Sequence, residues 1–248
     1  MKRLMIGVGC LALSLVLAGA ASALSYDQNI TPDVIFGSGN ANGGWTVAQS
    51  EGVELGLRAK VRFPTPLNVF NSQGNGTYNF SVGVGTVFPT PTWSFEWSIN
   101  TNHDGSSSFA TLNTLNYRLY IDFDPSSGTD FEFFDPINTT FADHSIGNNG
   151  TGNGGGTEAG DAATYAALIS SNNVAQNSWR MDFFDDPIFA GRTFDPNVAG
   201  SYEFKLIAYD GTREVASTNI TVEVPEPATI ALIGTGVAAF AARRRKLV

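Results

Sequence analysis

The 248-residue chain contains one cysteine and two histidines. Cys10 lies in an apolar run near the N-terminus, so removal of that run would leave no thiol for disulfides, zinc ligation or nucleophilic catalysis. His103 and His144 occur in polar sequence typical of solvated turns. No Gly-x-Ser-x-Gly elbow occurs, so the sequence carries no signature of a serine hydrolase of that type.

Charged residues make up only 15% of the chain, and the two signs are unevenly placed. Residues 24–224 hold eight basic and 22 acidic residues, a formal charge of −14, whereas the remaining basic residues lie at the two ends. A body this acidic should repel nucleic acid and anionic lipid, so we expect no nucleic-acid partner. An apolar content of 42% suffices for a packed core and argues against disorder.

The N-terminus has the pattern of a secretory signal peptide, for which we expect a helix. Lys2 and Arg3 precede an apolar stretch, and Ala21-Ser22-Ala23 then offers the small residues that signal peptidase requires. We therefore predict a signal peptide over residues 1–23, with cleavage after Ala23.

Alternating apolar and polar residues recur along the body. The pattern has a period of two, which indicates half-buried strands, and it is clearest in residues 53–63, 93–99, 115–123, 201–210 and 214–224. The residues expected to be buried are Val53, Leu55, Leu57, Trp93, Trp97, Tyr117, Leu119, Ile121, Phe204 and Leu206. Those expected to be exposed are Arg58, Lys60 and Arg62.

Many antiparallel strands predict an all-β body over residues 24–223, an antiparallel β-sandwich of jelly-roll or immunoglobulin-like type. One short helix is expected over residues 160–170, with Asp161 as its cap. The Gly/Asn-rich segment 146–160 is predicted to be an exposed, flexible loop inside this domain.

Acidic and aromatic residues offer the candidates for chemistry. Asp122, Asp124 and Asp130 form a cluster that could hold a structural Ca²⁺, although the spacing does not follow the EF-hand pattern. We otherwise expect no cofactor. Paired carboxylates of a glycoside hydrolase, or tryptophans that stack on sugars, stay open as alternatives. The leading expectation is a body without enzymatic activity.

The C-terminal residues 224–248 form a separate tail. Val224-Pro225-Glu226-Pro227 precedes an uncharged stretch of 15 residues, Ala228–Ala242, predicted to be a transmembrane helix. At 1.5 Å per residue this helix spans roughly 22 Å, short of a ~30 Å hydrocarbon core. The basic end, Arg243, Arg244, Arg245 and Lys246, should stay cytoplasmic. Such a short span suits a transient membrane segment that is later removed.

This combination resembles the PEP-CTERM sorting signal of Gram-negative bacteria, in which Pro225, Glu226 and Pro227 would be the sorting motif. The resemblance implies that an exosortase, a membrane-embedded protease, processes the tail and delivers the protein from the inner membrane to the outer surface or beyond. In "GWTVAQSEGVELGLRAKVRF" and "NNVAQNSWRMDFF" the body also resembles PEP-CTERM proteins, which implies no activity.

We therefore expect an exported protein with a structural or adhesive role in the extracellular polysaccharide matrix. Signal peptidase and an exosortase are its expected partners, with exopolysaccharide as a further one. The alternative is a secreted domain that binds or cleaves carbohydrate.

Overall fold

A computed structural model describes residues 23–226, which form a body built mainly of β-strands. Because polar and apolar residues alternate and Gly, Pro, Asn and Asp separate the runs, the chain forms strands joined by turns. The strands are β1 Leu24–Gln28, β2 Trp45–Ser50, β3 Val53–Val61, β4 Thr77–Asn79, β5 Trp93–Asn100, β6 Asn116–Asp122, β7 Phe131–Phe134, β8 Ser145–Gly147, β9 Val174–Trp179, β10 Gly200–Asp210 and β11 Arg213–Val224.

The strands make two sheets. Sheet A has six strands in the order β1-β2-β3-β5-β9-β8, and sheet B has five in the order β4-β11-β10-β6-β7. Neighbours in both sheets are antiparallel except that β4 runs parallel to β11. The predicted antiparallel sandwich is thus confirmed at the level of two packed sheets, with one parallel edge strand that the sequence did not indicate. The jelly-roll or immunoglobulin-like order stays a prediction.

The main core lies between the sheets. The ring of Phe95 in sheet A stacks on Phe204 in sheet B at 4.3 Å, and Trp93 meets the same ring edge-on at 6.1 Å. All the residues that the alternation assigns to the interior are buried: Val53, Leu55, Leu57, Trp93, Trp97, Tyr117, Leu119, Ile121, Phe204 and Leu206. The period-two prediction of the buried face is therefore confirmed.

The prediction for the opposite face of β3 is wrong. Arg58 and Lys60 are 0% and 1% exposed, and Arg62 is half-buried. The reason is that residues 29–44, here called the cover segment, pass over this face of sheet A instead of leaving it to solvent. A small second core beneath the cover segment contains Ile30, Val34, Trp45 and Val47, with Phe36 packed against it.

Helix α1 spans Ala162–Ser171, and the side chain of Asp161 accepts from the backbone N–H of Thr164, as its predicted role as a cap requires. The Gly/Asn-rich segment before it is tied to the cover segment. The backbone N–H groups of Gly154 and Gly156 donate to the carbonyls of Val34 and Ile35, at 3.0 and 2.9 Å. No helix of the described residues is long and apolar enough to cross a membrane. The predicted signal helix (residues 1–23) and the predicted transmembrane helix lie essentially outside these residues.

Candidate functional site

The last strand of the body leads directly into the tail. Val222 and Val224 of β11 are 0% and 2% exposed and belong to the main core. Between them, Glu223 accepts a hydrogen bond from the Ser201 hydroxyl at 3.0 Å. Its carbonyl accepts one from the backbone N–H of Phe80 at 2.9 Å. The chain is therefore held in the sandwich through Val224.

The sorting residues begin with the next residue. Pro225 is half-buried and Glu226 is exposed. Proline fixes φ and lacks an N–H, and it also restricts the preceding residue, so the ladder of β11 cannot continue through this point. Pro225 and Glu226 therefore follow the core strand without an intervening linker. Pro227 and the basic end, Arg243–Lys246, lie outside the described residues.

A scan of the sequence against protein families identifies the segment that begins at the end of β11. Residues 223–246 match the PEP-CTERM protein-sorting motif. The chain therefore carries the signature of an exosortase substrate, a protein sorted to the cell surface. The matched segment begins inside β11, so the PEP-CTERM motif overlaps the folded body by two residues. Comparison of the chain with curated proteins and with solved structures gives no match.

The predicted calcium ligands are engaged in separate contacts. Asp122 is 1% exposed, and its Oδ1 accepts from the backbone N–H groups of Asp124 and Asp130 at 3.0 and 2.8 Å. The carboxylate of Asp124 binds Ser126, and that of Asp130 pairs with the Arg192 guanidinium. Within residues 23–226 no three His, Cys, Asp or Glu side chains are grouped so that they could hold a metal ion. The calcium site stays a prediction without support from this geometry.

The two histidines differ in their surroundings. His103 lies 3.8 Å from the Asp104 carboxylate in a turn. His144 is 1% exposed, so its assignment to a solvated turn is wrong. Its Nε2 lies 2.6 Å from the Pro136 carbonyl and its Nδ1 lies 3.1 Å from the amide nitrogen of Asn177. The imidazole thus donates through Nε2 and accepts at Nδ1, which fixes the neutral form. Burial lowers the pKa of His144 to about 4.

A buried charged cluster under the cover segment was missed by the sequence reasoning. Glu96 on β5 binds Arg58 Nε at 2.6 Å and Lys60 Nζ at 2.8 Å. Burial by itself raises the pKa of Glu96, but the two adjacent cations outweigh that effect and the pKa is lowered. The Arg58 guanidinium lies between the rings of Trp45 and Phe70, 4.2 and 4.4 Å from their centroids.

This charged cluster holds the cover segment in place. Arg58 Nη1 donates to the carbonyls of Ala41 and Gly43, at 2.8 and 2.6 Å, and Lys60 Nζ donates to Asn40 Oδ1 at 2.6 Å. Arg58 and Glu96 are directly opposite in the β3–β5 register. In the sequence, the alternation pattern of β3 places basic residues on its polar face and that of β5 places Glu96 on its polar face. An ion pair between them could be predicted only with the knowledge that β3 and β5 are neighbours.

The solvent face of sheet B carries an aromatic group. Tyr120 contacts Phe131 and Phe133, with ring centroids 5.8 and 5.1 Å away. The Arg118 guanidinium lies 5.1 Å from the Phe133 ring and 5.3 Å from the Tyr209 ring. Phe133 is 51% exposed. We call these five residues the aromatic face. The four tryptophans, in contrast, are at most 9% exposed, so they cannot form the sugar-stacking surface considered from the sequence.

Proposed function

We propose that this protein is exported by its signal peptide, held in the inner membrane by residues 228–242, processed by an exosortase, and released to act without catalysis in the extracellular polysaccharide matrix. The observation that carries the proposal is the PEP-CTERM motif at residues 223–246, which begins within the last two residues of the core strand β11. We expect Pro225 and Pro227 to keep the three residues Pro-Glu-Pro extended, the conformation in which proteases bind a chain.

The N-terminal boundary supports the export step. Cleavage after Ala23 would make Leu24 the first residue, and Leu24 is also the first residue of β1, where it pairs with Ala48 of β2. Removal of residues 1–23 would therefore leave the described fold intact.

The surroundings of the candidate catalytic groups support a role without catalysis. His144 is buried and neutral, and the carboxylates of Asp122 and Asp130 are used inside the structure. Asp122 accepts from the backbone N–H groups of Asp124 and Asp130, and Asp130 pairs with the Arg192 guanidinium. A glycosidase would instead need two free carboxyl groups facing one another across a cleft.

The test is the fate of two tail variants, followed by fractionation and intact mass. Replacement of Pro225, Glu226 and Pro227 by alanine should leave insertion intact and block processing, so uncut chain accumulates in the inner membrane. Replacement of Arg243–Lys246 by neutral residues removes the positive charges that oppose translocation. The tail should then cross the inner membrane completely and give uncut soluble protein. An alanine variant that is still shortened and exported like the parent would show that the motif is not what the protease recognises.

A second candidate function, carbohydrate binding, is favoured by the aromatic face. One exposed ring, Phe133, with three half-buried aromatic neighbours beside a cation, suits the apolar faces and hydroxyl groups of sugars. Arg118 has no carboxylate within 4 Å among the described residues. Affinity electrophoresis in gels that contain dextran or hyaluronate would reveal such binding as retardation that Phe133→Ala abolishes. Equal mobility with and without polysaccharide would exclude binding to these two polymers.

A further inference from the structure

Three loops of the body meet at one end of the sandwich. They join β3 to β4 (62–76), β4 to β5 (80–92) and β9 to β10 (180–199). Hydrogen bonds connect them: Arg62 N–H to the Thr92 carbonyl at 2.8 Å, the Thr90 hydroxyl to Asp182 Oδ2 at 3.1 Å, and Gly83 N–H to the Pro196 carbonyl at 2.7 Å. We call these three loops the exit end.

The tail leaves the body at the exit end. Pro225, the first residue after β11, borders a shallow depression whose other lining residues include Val61, Phe80 and Thr92. Pro225 also lines a second shallow depression, together with Ala199, the last residue before β10, and with Pro125–Ser127 of the loop between β6 and β7. The exit end therefore lies beside the point from which the chain continues into the apolar segment of the tail.

The exit end also concentrates exposed apolar side chains. Eleven large apolar side chains are exposed in residues 23–226, and eight of them lie on these three loops: Leu67, Val69, Val84, Val87, Phe88, Phe183, Ile188 and Val198. Val87 and Phe88 are the most exposed of all, at 68% and 59%. A soluble protein that leaves so many apolar side chains on one end has a contact surface there.

The short chain between β11 and the apolar run of the tail limits how far the exit end can lie from the membrane. Four residue steps separate Val224, held in the core, from Ala228, the first residue of the apolar run. Fully extended, they span about 14 Å. While the tail is in the membrane, the exit end is thus held close to the lipid headgroups.

We propose that the exit end rests on the membrane, with the apolar side chains of its loops inserted among the lipid headgroups, for as long as the precursor keeps its tail. This inference depends on the proposed insertion of the tail. The tail supplies the proximity, so no attraction to anionic lipid is needed, and the acidic body would oppose one. The contact would orient the body and present Pro225 and Glu226 at the membrane surface, and it would be lost with cleavage of the tail.

The test uses the full chain lacking only residues 1–23, reconstituted without exosortase into phosphatidylcholine vesicles. This chain has no thiol, so Phe88→Cys introduces a single site for a polarity-sensitive fluorophore. Phe141→Cys is the matched control, because Phe141 is 46% exposed, contacts Tyr165 of α1 and is not part of the three loops. Val87→Cys serves as a second probe of the exit end.

The expected result is a blue shift of the label at residue 88, and at residue 87, with loss of its fluorescence when headgroup spin-labelled lipid is added. The label at residue 141 should show neither change. If the chain inserts but the labels at residues 87 and 88 show neither the blue shift nor the quenching, the inference is wrong and the proposed sorting stands. If residue 88 is shielded only when exosortase is added, the partner is the enzyme and the inference is overturned. A chain that fails to insert overturns the membrane step of the proposed function together with this inference.

Discussion

His144 should make the body sensitive to mild acid. Its ring is packed edge-on against Trp97 at 4.8 Å and hydrogen-bonded at both nitrogens, so the folded protein disfavours the imidazolium. Burial lowers the pKa from 6.5 to about 4. Between these values the unfolded chain binds a proton that the folded chain does not, so the folded state loses stability as the pH falls. At 1.36 kcal/mol per pKa unit, the free energy of unfolding falls by about 3 kcal/mol between pH 6.5 and pH 4.

The measurement is urea unfolding, followed by tryptophan fluorescence, of the exported protein and its His144→Gln variant from pH 7.5 to pH 4. The variant should be less stable at pH 7.5, and the difference between the two should shrink by about 3 kcal/mol toward pH 4. Glu54, whose pKa burial raises, contributes with the opposite sign, but equally in both proteins. Parallel curves for the parent and the His144→Gln variant would refute the reasoning.

Two further predictions concern packing. Glu96→Gln leaves Arg58 and Lys60 buried without a carboxylate, so it should lower the free energy of unfolding by about 3–5 kcal/mol in urea titrations; a loss under about 1 kcal/mol would contradict the role given to the cluster. Gly52→Ala places a Cβ 2.6 Å from the backbone nitrogen of the neighbouring loop, at φ +75°, whereas Gly105→Ala at φ +80° meets nothing. The melting temperature should therefore fall further for Gly52→Ala than for Gly105→Ala. Equal falls would show that the close contact at Gly52 does not matter.

The sequence by itself determined the sorting signal and the interior. The PEP-CTERM motif needs no fold to be read, because prolines, an apolar run and terminal cations act through local chemistry. The interior residues of the long strands followed from alternation, because a strand with one core face requires a period of two. The cap of α1 was readable from Asp161 for the same local reason.

Only the tertiary structure decided what covers each face. Arg58 and Lys60 alternate as solvent-facing residues do, yet residues 29–44 cross that face and the Glu96 carboxylate pairs with both cations. His144 likewise occurs in polar sequence but is enclosed by aromatic rings from distant strands. Periodicity reports which side chains share a face, whereas the cover over that face depends on contacts between residues far apart in the chain. For the same reason the exit end, assembled from three separate loops around Pro225, was visible only once the chain was folded.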